Sequence, residues 1–237
     1  MQPRLSIVVP TFNEEATLPT IIERLHRACP FAQCIFVDDG SRDSSLAIMR
    51  EHARPEDIVL TKPNGGKGSA VRMGYQHATG VYTIVQDADL EYSPEEIPLL
   101  LAYAEEHHLP VLFGSRRLKR QKQFTHIAAF VGGSMLTLLC NFLFRTRLTD
   151  QPTCYKMVRT DILHFLVLRA NDFRFDPEIT ALIARRGIPI AEYPISYHPR
   201  SFAEGKKIGL KDWFLWVWEF LCWRAAPRAR VFAGIER

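Results

Sequence analysis

The sequence predicts an α/β protein built on a largely parallel sheet with helices on both faces. Apolar β-type runs alternate with helical patterns through the first half of the chain. The helical patterns carry start signals, and the polar motifs fall directly after the apolar runs, where open α/β sheets bind ligands. At 237 residues, 47% of them hydrophobic and 24% charged, the chain is long enough for one sizeable core.

The elements follow in order. Residues 6–9 read as a strand and 14–28 as a helix; 33–37 and 44–52 repeat the pair. A short run at 58–60 precedes a helical pattern at 69–78, then 82–85 precedes 94–106, and 111–113 is a fifth strand. The second half is less regular: a long apolar helix over 127–144, the polar run 149–156, a helix over 177–186, short strands near Ile190 and Ser196, and a basic loop. Residues 213–223 are aromatic almost all round. We find neither repeats nor a linker, and divide the chain into a main domain, 1–212, and a C-terminal aromatic and basic helix with its tail, 213–237.

Composition narrows the function. A net charge of +4 and an isoelectric point near 8.8 are too mild for a protein that coats nucleic acid. The basic excess is local, at Arg200, Lys206, Lys207 and Lys211. Five cysteines without metal-ligand spacing, an odd number, argue for free thiols in a reduced, cytosolic setting. The first residues run straight into a strand with no apolar signal core. The uncharged stretch 127–144 is near the lower length limit for a spanning helix, but Gly132, Gly133, Ser134, Thr137 and Asn141 dilute it. Ile127, Val131, Leu138 and Phe142 recur at helical spacing, so an amphipathic helix is expected.

Several motifs sit on the expected ligand rim. Asp87-Ala88-Asp89, with Glu91 two residues on, ends the fourth strand; such carboxylates can converge on Mg²⁺ or Mn²⁺, which favour oxygen donors, although acidic pairs are also common in surface turns. Asp38 and Asp39 end the second strand, where they can accept from a base N–H or a ribose hydroxyl, or simply form an Asp-Gly turn. Asn64-Gly65-Gly66-Lys67-Gly68-Ser69 is not a P-loop, because Gly68 follows the lysine. A lysine at a glycine-rich helix start still suits an anion. The basic loop 200–207 is compatible with a lid over phosphates or with a solvated charge run.

Taken together, Val-Val-Pro-Thr-Phe-Asn-Glu-Glu (8–15), Val-Asp-Asp-Gly-Ser (37–41), Gly-Lys-Gly-Ser-Ala (66–70), Asp-Ala-Asp-Leu (87–90), Gly-Ser-Arg (114–116) and the basic loop 200–208 resemble a family 2 glycosyltransferase of GT-A fold. The nearest likeness is to the dolichol-phosphate (polyprenyl-phosphate) mannose synthase branch, from residue 5 to about 212. The resemblance implies a nucleotide-diphosphate sugar donor, of GDP-mannose or UDP-glucose type, and inversion at the anomeric carbon. By position, Pro10, Phe12, Glu14, Asp38, Asp39, Lys67, Asp87 and Ala88 would line the nucleotide-sugar site. Asp87, Asp89 and Glu91 would surround the metal, with Asp89 also in the catalytic set, although relatives often carry Gln where this chain has Glu91. Arg116 or Arg117 would face an acceptor phosphate, while Arg200 and Lys206 would close over the diphosphate. Many relatives carry a Ser-Gly-Phe-Arg-like run where this chain has Pro-Thr-Cys-Tyr-Lys at 152–156.

A lipid-phosphate acceptor is already anionic near neutral pH and needs no general base, leaving alignment and charge stabilisation to the protein. A hydroxyl acceptor needs a carboxylate to take its proton; Asp150 is the candidate, with a structural Asp-Gln-Pro turn as the alternative. The aromatic segment, followed by Arg224, Arg228 and Arg230, suits a bilayer interface or a packed helix. The expected location is therefore cytoplasmic, peripheral at the membrane face. A non-catalytic nucleotide-sugar binding module is the remaining alternative.

Overall fold

The computed structural model describes residues 3–119, 127–199 and 209–232. Seven strands form one sheet in the order β3-β2-β1-β4-β6-β5-β7. They are β1 Leu5–Thr11, β2 Gln33–Asp38, β3 Ile58–Thr61, β4 Tyr82–Val85, β5 Val111–Ser115, β6 Lys156–Arg159 and β7 Ala191–Pro194. β6 pairs antiparallel with both β4 and β5, while the other pairings are parallel. The C-terminal ends of β1, β2, β4, β5 and β7 therefore share one rim with the start of β6.

The helices are α1 Leu18–Ala28, α2 Ser45–His52, α3 Lys67–His77, α4 Ile97–Glu106, α5 Ile127–Phe144, α6 Thr160–Phe165, α7 Phe175–Arg185, α8 Leu210–Ala225 and α9 Arg228–Val231. In α1, Leu18, Ile21, Ile22 and Leu25 are buried at helical spacing, behind a proline in the first turn. The central strands are buried on both faces, as Ile7, Val8, Ile35, Phe36 and Ile84 show, so they read as continuous apolar runs.

Two boundaries differ from the sequence pattern for local reasons. α1 begins at Leu18 rather than at residue 14, because Asn13 has φ +53° and the next N–H groups are committed elsewhere. Glu14 N–H donates to Ser45 Oγ at 3.0 Å and Glu15 N–H to Asp43 Oδ2 at 3.1 Å. α4 is preceded by a single 3₁₀ turn, Pro94–Glu96. β6 and α6 had no counterpart in the sequence reading. β6 is only four residues long, begins with a lysine and ends with an arginine.

In the 127–144 helix, Val131, Leu138 and Phe142 lie on the exposed side, at 47%, 68% and 82% exposure, while Leu136, Thr137 and Cys140 are buried and Leu139, Leu143 and Phe144 pack against the core. No described helix is long and apolar enough to cross a membrane. α8 packs against α5 and α7, with Phe144 against Phe220 at 5.8 Å. Arg185 Nη1 donates to the carbonyls of Trp223 and Ala226 at its end. Within α8, Trp216, Phe220 and Trp223 are buried whereas Phe214, Trp218 and Leu221 are exposed. All five cysteines are free thiols, four of them buried.

Far from the motif rim, Asp57 is closed in by Arg54, whose Nη2 reaches Oδ1 at 2.9 Å, and by His26, whose Nε2 lies 2.8 Å from Oδ2. This cluster ties the end of α1 to the turn before β3. With the Arg54 fork already on the carboxylate, it reads as a structural clasp.

Candidate active site

A cavity of about 340 Å³ opens on the motif rim. Of the residues expected there, Pro10, Phe12, Glu14, Asp39, Lys67, Asp87, Ala88, Asp89, Glu91 and Arg116 line it. Arg200 and Lys206 lie outside the described residues. Asp38, Arg117 and Asp150 stand behind the wall rather than in it.

The loops that carry these groups are locked by their own side chains. Asp38 is buried; it accepts from Ser41 N–H at 3.0 Å and from Thr61 Oγ1 at 2.8 Å, so it shapes the turn and does not reach the cavity. Asp39 lines the cavity and also gathers the glycine-rich loop, accepting from Lys62 Nζ at 2.6 Å, Gly65 N–H at 3.0 Å and Gly66 N–H at 2.7 Å. The glycines are required by this crowding. Gly66 has φ +92°, and a Cβ on Gly68 would lie 2.4 Å from the carbonyl oxygen of Ala170. The loop thus delivers Lys67 to the cavity at the start of α3, where its Nζ donates to Asp87 Oδ2 at 2.9 Å. Burial pulls the Lys67 ammonium down, but the adjacent Asp87 carboxylate outweighs it and holds the group well above its usual value.

The acidic run turns sharply at Leu90, which has φ +61°. Leaving αR there costs on the order of 1 kcal/mol for a non-glycine residue; the turn is stabilised by Glu91 N–H donating to Asp89 Oδ1 at 3.2 Å. Glu91 is anchored in turn by Tyr197, whose hydroxyl donates to Oε2 at 2.9 Å. Burial, then the Glu91 charge, raises the Tyr197 phenol far above its ordinary value, so it keeps its proton and acts as donor. The cavity-facing donors of Asp87, Asp89 and Glu91 are all carboxylate oxygens, a set that fits a hard divalent cation. Each of the three has one oxygen in a hydrogen bond, Asp87 with Lys67, Asp89 with the Glu91 N–H and Glu91 with Tyr197.

Arg116 lines the cavity while its guanidinium is pinned from behind by Asp150. Nε reaches Oδ2 at 2.7 Å, Nη2 reaches Oδ1 at 2.8 Å and the backbone N–H also donates, at 2.9 Å. Arg117 Nε stands 3.7 Å from Asp150 Oδ1, while its Nη1 donates to Ser134 Oγ at 2.6 Å and its guanidinium stacks on Phe130. Burial would raise the Asp150 carboxyl, but the charge and hydrogen bonds of Arg116 prevail and hold it below the usual carboxylate range.

The expectation that Asp150 could serve as a general base is therefore corrected. Its carboxylate is wholly buried, bonded to a fixed cation, and a poor proton acceptor. Arg117 is corrected likewise: it holds α5 against the body and does not line the cavity.

Sequence reasoning missed Tyr92, Cys154, Phe173, Asp176, Tyr197 and Trp216, which complete the wall. Asp176 opens α7 and is 6% exposed, with Oδ1 held by Lys156 Nζ at 2.9 Å. In the sequence it reads as an ordinary acidic helix start; nothing local announces that the buried Lys156 of β6 will hold it.

The chain has the GT-A fold. The crystal structure of glucosyl-3-phosphoglycerate synthase from Mycobacterium tuberculosis with Mn²⁺, uridine diphosphate and phosphoglyceric acid matches with a TM-score of 0.73 at 16% identity. The match covers 95% of this chain and 80% of that one. Another crystal structure of the same synthase matches with a TM-score of 0.71 at 19% identity, over 95% and 82% of the two chains.

By sequence, the chain belongs to the glycosyl transferase family 2, whose model matches residues 6–166. A relative from Proteus mirabilis, undecaprenyl-phosphate 4-deoxy-4-formamido-L-arabinose transferase, is 31% identical over 216 residues, 88% of this chain. The chain spans 64% of that relative's length.

Proposed function

We propose that this protein moves a hexose from a nucleotide-diphosphate sugar to a polyprenyl or dolichyl phosphate at a membrane surface, with inversion at the anomeric carbon. The observation that carries the reading is the character of the acceptor side. There a buried carboxylate fixes a cavity-facing arginine, and the adjoining helices α5 and α8 present exposed apolar side chains, Leu138, Phe142, Phe214 and Trp218 among them. A phosphate attacks without first losing a proton, so a fixed cation suits it better than a free base. The Proteus mirabilis relative, named for an undecaprenyl-phosphate substrate, supports the same class of acceptor.

In this reading Pro10, Phe12, Glu14 and Asp39 hold the nucleotide. Asp89 and Glu91, with Asp87, hold Mg²⁺ or Mn²⁺, which when bound offsets charge developing on the diphosphate leaving group. The M. tuberculosis synthase is described with Mn²⁺ and uridine diphosphate, which favours a divalent ion of this kind. Lys67 places a second positive charge beside Asp87, and Arg116 aligns the attacking phosphate oxygen with the anomeric carbon. Arg200 and Lys206 are assigned to close over the diphosphate. The protein would work in the cytoplasm, with the exposed side of α5 and α8 against the membrane.

Asp176 also lines the cavity, but the buried Lys156 ammonium holds it at 2.9 Å, so it is no better placed than Asp150 to serve a hydroxyl acceptor as base.

Incubation with Mn²⁺ and a panel of labelled GDP- and UDP-sugars, with and without polyprenyl phosphate, tests the assignment. Label is expected in the organic phase only when lipid is present. Label passing to a sugar acceptor instead would establish the hydroxyl reading. No transfer from any donor, together with nucleotide-sugar binding, would leave a binding module.

A further inference from the structure

Glu91 and Arg116 meet on one tyrosine, Glu91 at its hydroxyl and Arg116 on its ring face. The Tyr197 hydroxyl donates to Glu91 Oε2 at 2.9 Å. The Arg116 guanidinium lies over the face of the same ring, 4.8 Å from its centre, and Tyr92 packs against it at 5.3 Å.

The backbone on both sides of this ring is clamped. Ser196 N–H donates to both Glu96 carboxylate oxygens, at 3.0 and 2.9 Å, and Lys119 Nζ donates to Ser196 Oγ at 2.6 Å. His198 N–H donates to the Glu91 carbonyl at 2.9 Å. Arg116 itself is held on its other side by Asp150. A ring confined in this way has little freedom, so a displacement of the Glu91 carboxylate is passed to the face on which Arg116 rests.

We propose that Tyr197 is a positioning residue that sets the metal-side carboxylate Glu91 and the acceptor-side Arg116 in register. The proposal rests on the reading of Asp89 and Glu91 as metal ligands. Groups that hydrogen-bond a ligating carboxylate orient it, and their loss typically weakens metal binding or activity by about 10- to 100-fold. Through the shared ring, a divalent cation at Glu91 and a phosphate at Arg116 favour each other's binding, and the coupling is reciprocal.

Two variants separate the two contacts. Tyr197→Phe removes the hydroxyl and keeps the ring under Arg116; Tyr197→Leu removes both. Binding of Mn²⁺ alone to the full chain, read from the electron paramagnetic resonance signal of the free ion, is expected to weaken about tenfold in Tyr197→Phe. The melting temperature should stay near that of the unaltered chain, while the KM for polyprenyl phosphate in the presence of Mn²⁺ should rise, because the link between the two sites is cut. Tyr197→Leu should raise that KM further. In a Glu91→Gln background, Tyr197→Phe should no longer change Mn²⁺ affinity, because the hydroxyl acts through Glu91.

A folded Tyr197→Phe variant that binds Mn²⁺ as the unaltered chain does overturns the role of Tyr197 and leaves the metal reading standing. Absence of Mn²⁺ binding by the unaltered chain overturns the metal reading and the proposal with it. A Tyr197→Phe loss that persists undiminished in Glu91→Gln assigns the tyrosine a general structural role instead.

Discussion

Replacing Asp150 by asparagine separates an anchor from a base more sharply than any other single change. Asp150 is fully buried and receives three hydrogen bonds from Arg116, between 2.7 and 2.9 Å, with Arg117 at 3.7 Å. Asparagine keeps an acceptor of the same shape but removes the negative charge that compensates a buried guanidinium. Breaking a buried pair by removing one partner costs about 3–5 kcal/mol. For a chain of this size each kcal/mol lowers the melting temperature by about 2–4 °C, so a drop of about 6–20 °C is expected. Against a total stability of about 5–15 kcal/mol, the variant should still fold in the cold.

The pH dependence supplies an independent check with a definite sign. Arg116 holds the folded-state pKa of Asp150 below the ordinary carboxylate value, so the unfolded chain binds the proton more readily. The stabilisation is complete above the unfolded-state value, about 3.9, and is lost as the pH falls through the folded-state value. The gap in stability between the unaltered chain and Asp150→Asn should therefore be widest near neutrality and narrow in acid. Differential scanning calorimetry across that range, combined with transfer assays well below the melting point, measures both. Unchanged melting with transfer reduced by about 10²–10⁴, the range for loss of a general base, would refute the anchor argument and restore Asp150 as the base.

Other outcomes follow from neighbouring observations. Asp89→Ala should abolish saturable Mn²⁺ binding by calorimetry while leaving the melting temperature within a few degrees, because the side chain lies at the cavity and not in the core; intact Mn²⁺ affinity would move the metal elsewhere. Gly68→Ala drives a Cβ into the Ala170 carbonyl at 2.4 Å and the Asp172 carbonyl at 2.9 Å, displacing the start of α3 and with it Lys67. Donor affinity should fall more than stability does, as read by nucleotide-sugar titration and thermal melting. Phe214→Ser with Trp218→Ser removes two side chains that are 65% and 61% exposed, each worth about 1.5–3 kcal/mol when buried. Flotation with anionic liposomes should weaken by at least about tenfold without a loss of fold, whereas replacing Trp216, 4% exposed, should damage the cavity wall. Burial lowers the His26 pKa more than nearby Asp57 raises it, so stability should decline as the pH falls below about 6.5, and His26→Gln should flatten that slope in urea titrations.

The parallel half of the sheet was legible because its strands are buried on both faces and its helices carry an apolar stripe. β1, β2, β4 and β5 each lie where an apolar run ends in a polar motif, and the runs place Pro10, Asp39, Asp87 and Arg116 on one rim without any tertiary information. What the sequence hides is which partner each charge meets. Asp38 and Asp39 are neighbours in the chain and look equivalent, yet successive side chains of an extended segment point to opposite sides. One therefore turns to Thr61 and Ser41 and the other to the glycine-rich loop.

The same limit governs the acceptor side. Lys156 looks like a surface lysine, and only its place between β4 and β5 buries it and gives it to Asp176. Asp150 and Arg116 are separated by 34 residues, and no local pattern joins them. A carboxylate in a polar turn is a reasonable base until its counter-ion is known; once Arg116 is seen to hold it, the catalytic interest passes from the acid to the arginine. The exposed stripe of α5 follows a similar logic. Helical periodicity reports that Val131, Leu138 and Phe142 share a face, but periodicity is silent on whether that face meets the protein or its surroundings. Here Leu136, Leu139, Leu143 and Phe144 turn inward with Thr137 and Cys140, while Val131, Leu138 and Phe142 turn outward, so the helix is apolar on both sides.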